Sequence, residues 1–283
     1  MASFTNFATL SYNGGTTNSN IVTGEILEAL TAVKTAVSAN YSAGDRITYA
    51  LSLVNTGTAA ITDYTVTDNL GGYTVGANTV YPLAYNAGTV RYYINGVLQT
   101  APTVTAGPPL TVTGLTVPAG GSAVLIYETT ATPVAPLATG SSITNTATIT
   151  GGGLTNPITA QATVETATSA DLSISKALSP MTVTENGQIT YTFVISNTGN
   201  TEATATSNVV VTDTFAPILR NIAVTYNGTA WTEGTNYTYN AATGVFTTLA
   251  GQITVPAATF TQNTDGTFSV TPGTATLVIT GTV

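Results

Sequence analysis

Lys34 and Lys176 are the two lysines of this sequence. Alternation along the chain puts each on an apolar face. Lys176 shares its face with Leu172, Ile174 and Leu178, and Lys34 shares its own with Leu30, Ala32 and Ala36. Four more polar residues sit the same way. Asp68 lies in phase with Tyr64, Val66 and Leu70, and Asp213 with Val209, Val211 and Phe215. Asn145 lies in phase with Ile143, Ala147 and Ile149, and Asn6 with Phe4, Ala8 and Leu10. A charge on an inward face is costly unless it is paired or neutralised. Lysine, aspartate and asparagine buried together have a chemical outlet. Burial favours a neutral amine and a protonated acid. Such an amine can attack the asparagine side-chain carbonyl, polarised by the acid; ammonia leaves and a Lys–Asn amide remains. Proximity inside a folded core supplies the rate that free side chains lack. The plainer alternatives are an ordinary Lys–Asp ion pair and an asparagine that satisfies backbone groups.

The elements that carry these residues occur twice. The segment GDRITYALSLVNTGTAAITDYTVTDNL begins at Gly44, and GQITYTFVISNTGNTEATATSNVVVTDTF begins at Gly187. Each holds a strand with period-two apolar residues, an Asn-Thr-Gly turn and a second strand ending in Val-Thr-Asp. Asn-Gly pairs at Asn95 and Asn227 suit tight hairpins. The stretch Gly24–Val33 has the nearest thing to helical spacing and is too short and too rich in Thr and Val to form a helix. Thr150–Leu154, with its three glycines, is a hairpin tip and no phosphate loop, since no helix follows. Many short strands between Gly, Pro and Asn turns predict an all-β chain of two tandem Ig-like Greek-key β-sandwiches.

The repeat reaches into the start of the chain. FTNFATLSYNGG from Phe4 matches ITNTATITGGG from Ile143, and each is followed by a linker and the lysine-bearing strand. Three parts are therefore expected: an N-terminal donor β-hairpin over 1–24, a sandwich with its own closing hairpin over 25–167, and a second sandwich without one over 168–283. The opening hairpin could instead cap the first domain or fray.

Composition narrows the function. Hydrophobic residues make up 43% of the chain and charged residues 6%, with a net charge of −8 and five basic residues. Nucleic acid is a poor partner for so few cations. There is no stretch long enough for a membrane span and no leader with a charged and then an apolar segment. Cysteine and histidine are both absent, which removes most metal sites and most nucleophile–base pairs. Asp63 and Asp68 are too few for a calcium cage. No cofactor, metal or small-molecule substrate is expected, and no enzyme beyond a self-crosslinking one. Tyr92, Tyr93, Trp231, Tyr237 and Tyr239 could line a sugar-binding surface, although packing and subunit contacts are the better reading.

The segments DLSISKALSP, GQITYTFVISNTGN and VVVTDTF resemble the bacterial conserved-repeat domain family (domain of unknown function eleven) of surface proteins, over nearly the whole chain. The order of Lys on a first strand, Asp in mid-domain and Asn on a last strand resembles self-crosslinking pilin and collagen-adhesin domains. The resemblance implies a crosslink between Lys34 and Asn145 with Asp68 as the acid. In the second domain it implies Lys176 with Asp213 as the acid and no Asn in the matching strand, so that Asn6 of another copy completes the site. The function this implies is a structural subunit of an extracellular or spore-surface filament whose partner is itself. A monomeric surface adhesin or glycan-binding module is the alternative.

Overall fold

The structure is a computed structural model that describes residues 2–26 and 29–283. Among them all regular structure is strand, apart from one 3-10 turn at Ala205–Ser207. Gly24–Val33 is strand on both sides of Leu27 and Glu28, which lie outside the described residues. The chain divides into two compact units, one of residues 1–135 with 142–165 and one of residues 136–141 with 166–283.

The body of unit 1 is a pair of six-stranded sheets. The first runs, from one edge, through the lysine strand Leu30–Ala36, Arg46–Asn55, Ser122–Ala131, Arg91–Ile94 and Val97–Leu98, with Leu83–Tyr85 also on Ser122–Ala131. The second runs Thr103–Thr105, Leu110–Val117, the aspartate strand Ile61–Asp68, the asparagine strand Ser142–Gly151, Ile158–Thr166 and Asn40–Tyr41. The chain changes sheet between Asn55 and Ile61 and again between Ala131 and Ser142, which is Greek-key connectivity. Alternation sets the core: Ile47, Tyr49, Leu51 and Leu53 from one sheet are buried, as are Tyr64, Val66, Ala147 and Ile149 from the other. Both Asn-Gly turns take positive φ at both residues, as tight hairpins need. At the glycine tip, a Cβ on Gly152 would come within 2.6 Å of Ile61 Cγ2.

Unit 2 repeats this plan in part. Its first sheet runs Leu172–Ser179, Gln188–Asn197, Gly273–Thr282, Arg220–Tyr226 and Thr229–Trp231, strand for strand the order of the first sheet of unit 1. Its second sheet has three strands, Tyr237–Asn240, Val245–Thr248 and the aspartate strand Thr212–Thr214. These occupy the places of Thr103–Thr105, Leu110–Val117 and Ile61–Asp68. Among the described residues the order stops there: no strand of unit 2 pairs with Thr212–Thr214 on the side where unit 1 places its asparagine strand.

The N-terminal segment is a long hairpin in two ladders. Ala2–Asn6 pairs with Val22–Ile26, and Thr9–Tyr12 with Gly15–Asn18. Between the ladders the Ser19 amide donates to Ala8 O, and the Ala8 amide donates to Ser19 Oγ. From Ser3 to Glu25 every residue except Gly24 is exposed, including Phe4, Phe7, Leu10, Tyr12, Ile21 and Val22. The Phe4 ring lies over Gly24, where a Cβ would stand 2.4 Å from Phe4 Cζ.

Candidate functional site

The two sheets of unit 1 bring Lys34 and Asp68 together. Lys34 Nζ donates to Asp68 Oδ2 at 2.5 Å, with 0% and 1% of the two side chains exposed. The Tyr127 hydroxyl donates to the same Oδ2, and the Leu70 amide donates to Oδ1 at 2.9 Å. The lysine ammonium stands 4.8 Å from the ring centre of Tyr49 and 5.9 Å from that of Tyr127, whose rings stack on each other. Desolvation outweighs the attraction of Asp68 and lowers the Lys34 pKa to about 8. About a tenth of the amine is therefore neutral at pH 7, far more than of an ordinary lysine, and able to act as a nucleophile.

Asn145 belongs to the same cluster. Its strand pairs with the aspartate strand so that Ala147 faces Asp68, which sets Asn145 one inward position along from the carboxylate. The residue is fully buried, and neither Oδ1 nor Nδ2 has a hydrogen-bond partner. The Tyr49 hydroxyl is likewise buried without one. The amide is nonetheless close enough to the Tyr49 and Tyr127 hydroxyls to pull their pKa values down a little. Burial first, and the negative Asp68 second, push both phenols well above the ordinary range, so both remain O–H donors. A buried primary amide with no partner is an expensive feature. The cluster holds an amine nucleophile, a carboxyl group hydrogen-bonded to it, a buried primary amide one inward position along from that carboxyl and phenolic donors, which are the components of an amide transfer.

Unit 2 keeps half of this. Lys176 Nζ donates to Asp213 Oδ2 at 2.5 Å, and the ammonium lies 4.5 Å from the Tyr191 ring, 5.4 Å from Phe193 and 5.6 Å from Phe215. Parity predicts an inward Lys176, and its strand neighbours Leu172, Ile174 and Leu178 do share its face. That face is uncovered, however. The Lys176 and Asp213 side chains are 40% and 18% exposed, and Leu172 is 37% exposed where its counterpart Leu30 is 3%. The cause lies in the strand order, since the layer that closes unit 1 over Leu30 and Lys34 has no counterpart in unit 2. Asn6 is exposed on the N-terminal hairpin, opposite Val22.

In the sequence an inward tyrosine reads as ordinary core. Recurrence was the available signal. Tyr49 and Tyr191 hold the same register, each pairing with the residue two beyond its lysine, Ala36 and Leu178. Tyr127, which faces Tyr49, has no such repeat: the residue facing Tyr191 is Ile279. The aromatic residues considered for sugar binding are largely occupied in packing. Tyr92 is buried with its hydroxyl donating to Thr116 O, Tyr237 packs on Phe246, Trp231 stacks on Tyr226, and the Tyr239 hydroxyl donates to Leu219 O. Among the described residues no group of three acidic, His or Cys side chains could hold a metal, and no helix is long and apolar enough to cross a membrane.

Neither family models nor curated proteins yield a match to the chain. Among solved structures the chain is similar to the major pilin subunit of Bacillus cereus, at 14% identity over 96% of this chain and 73% of that one, with a TM-score of 0.35. It is also similar to the pilus backbone protein of Streptococcus pneumoniae, at 12% identity over 86% and 55%, TM-score 0.36. A third similarity is to the N-terminal domain of a Streptococcus gordonii adhesin, at 14% identity over 48% and 32%, TM-score 0.36. The chain thus spans about a third of the length of that adhesin chain and about half that of the pneumococcal backbone.

Proposed function

We propose that this protein is the repeating subunit of a bacterial surface filament, joined head to tail by its N-terminal hairpin. The hairpin of one copy adds to the aspartate strand Thr212–Thr214 of the next and closes its second sheet by strand addition. Donor and acceptor surfaces differ, so the contact is heterologous and propagates without closing. Docked in the register that Ser142–Gly151 takes in unit 1, the hairpin lays Asn6 beside Lys176 and Asp213. Lys176 then couples to Asn6, with Asp213 carrying the proton, as Lys34 couples to Asn145 with Asp68 within unit 1.

One observation carries this reading. The second sheet of unit 2 stops at its aspartate strand, on the side where unit 1 has a hairpin whose sequence the uncovered N-terminal hairpin repeats. The cover would remove Leu172, Ile174 and Leu178 from water, each worth about 1.5–3 kcal/mol when fully buried.

The test is boiled, denaturing electrophoresis of wild type beside Lys176→Ala and Asn6→Ala. A ladder in wild type that collapses to monomer in both variants is expected. A single monomer band in all three, with no fibres by electron microscopy, would overturn the filament and favour an adhesin.

A further inference from the structure

The two phenols of the unit 1 site differ in what they touch. The Tyr127 hydroxyl is committed to Asp68 and its counterpart is Ile279, so only unit 1 has it. The Tyr49 hydroxyl, by contrast, is buried and uncommitted, in a core whose other unpartnered groups include both polar atoms of the Asn145 amide. Its counterpart Tyr191 is retained, with the lysine ammonium over its ring at 4.5 Å, against 4.8 Å over Tyr49. The phenol common to both sites is therefore the one that, in unit 1, does not give its O–H to the aspartate.

We infer that Tyr49, and Tyr191 in the docked fibre, are catalytic residues that donate a hydrogen bond to the asparagine carbonyl oxygen as it becomes an oxyanion. This rests on the amide-transfer reading above. In the addition step, the lone pair of neutral Lys Nζ forms the C–N bond at Asn Cγ. The C=O π electrons move to the oxygen, which the tyrosine O–H holds. The proton leaving Nζ passes to the aspartate. In the second step the C–Nδ2 bond breaks and the carbonyl re-forms. The aspartate returns the proton to Nδ2, and one ammonia departs. Amine plus primary amide has become secondary amide plus ammonia, with no oxidant or external reagent. A fixed donor aimed at the developing charge in a water-poor core acts on the transition state more than on the ground state. Burial keeps the Tyr49 phenol in its O–H form, so it has a proton to donate at neutral pH.

Two full-length chains separate this chemistry from docking. Asn6→Ala can accept but not donate covalently, and Lys176→Ala can donate but not accept. Mixed, they form a covalent pair only through Asn6 of one and Lys176 of the other. With Tyr191→Phe added to the acceptor, pelleting of the non-covalent assembly should be unchanged. The covalent band on denaturing gels should form about 100-fold more slowly, the usual effect of removing one oxyanion donor. An unchanged rate would overturn the inference while leaving the filament intact. Absence of any covalent band with Tyr191 present would overturn the amide-transfer reading and the inference with it. In unit 1, Tyr49→Phe is compared with Tyr64→Phe, which also removes a buried, unpartnered hydroxyl. Intact mass should show that freshly purified Tyr64→Phe has lost one ammonia and that Tyr49→Phe has not. Equal loss in both would overturn the assignment even if the Tyr191 variant failed to fold.

Discussion

Lys34 and Lys176 present one side chain in two solvents. Lys34 has its pKa lowered to about 8 by burial, against an ordinary 10.5, even with Asp68 in contact. Bond formation in unit 1 should therefore speed up as pH rises towards about 8 and level off above it, followed as ammonia lost from refolding chains by mass spectrometry. A variant that cannot form the bond, Asn145→Ala, exposes the linkage directly. Between about pH 8 and 10 its unfolded lysine still holds a proton that the folded lysine has released, so stability should rise with pH across that window. Above pH 10 the gain should reverse, since unfolded phenols ionise while Tyr49 and Tyr127 hold their protons. Urea midpoints at several pH values check both limbs. In the same background Lys34→Ala leaves the Asp68 carboxylate buried and should cost about 3–5 kcal/mol. Lys176→Ala, at a solvated pair, should cost about 1 kcal/mol or less.

Strands set the face a residue shares, and loops decide whether the strands hold their places. The Asn-Thr-Gly segments show the difference. Asn55 and Asn197 are buried, and each ties a loop to the neighbouring connection. Asn197 Nδ2 donates to Thr201 O at 2.8 Å and Pro256 O at 3.0 Å, while its Oδ1 accepts from the Gly199 and Asp171 amides, both at 2.9 Å. Asn55 does likewise with Ala59 O, Pro118 O and the Gly57 amide. Asn197→Ala should destabilise unit 2 by about 2–3 kcal/mol through the backbone groups left unpaired, measured by chemical denaturation. The sequence marks this position as a turn but not as a clasp, because a turn propensity is local and its partners Pro118 and Pro256 are far along the chain. The same limit applies to the sites. Parity alone puts Lys34, Asp68, Asn145, Lys176 and Asp213 on inward faces; the first three are buried, whereas the Lys176 and Asp213 side chains are 40% and 18% exposed. Parity could not tell that Lys176 is uncovered, because cover depends on which strand comes to lie beside Thr212–Thr214. On the hairpin, Gly24 makes room for the Phe4 ring, a cross-strand fit where the closing hairpin of unit 1 pairs Ile143 with Val164. Gly24→Val should displace that ring and weaken assembly while leaving the melting of both units unchanged, as read by sedimentation beside calorimetry.

At the scale of the molecule, the proposed bonds change what unfolding means. An amide between Lys34 and Asn145 closes a loop of roughly a hundred residues, which by the loop-entropy estimate used for disulfides is worth about 4–5 kcal/mol. Calorimetry of wild type and Asn145→Ala should show the transition of unit 1 fall in the variant and that of unit 2 stay in place. The contrast in exposure between the two lysines, 0% for one side chain and 40% for the other, has an analytical use. In a completed fibre the lysine of unit 1 and that of every docked unit 2 are amides. The remaining ε-amine belongs to the last acceptor unit, in open solvent. Derivatised ε-amines, counted per subunit, would then give the reciprocal of the degree of polymerisation. The scarcity of lysine turns an ordinary labelling reaction into an end-group assay for fibre length.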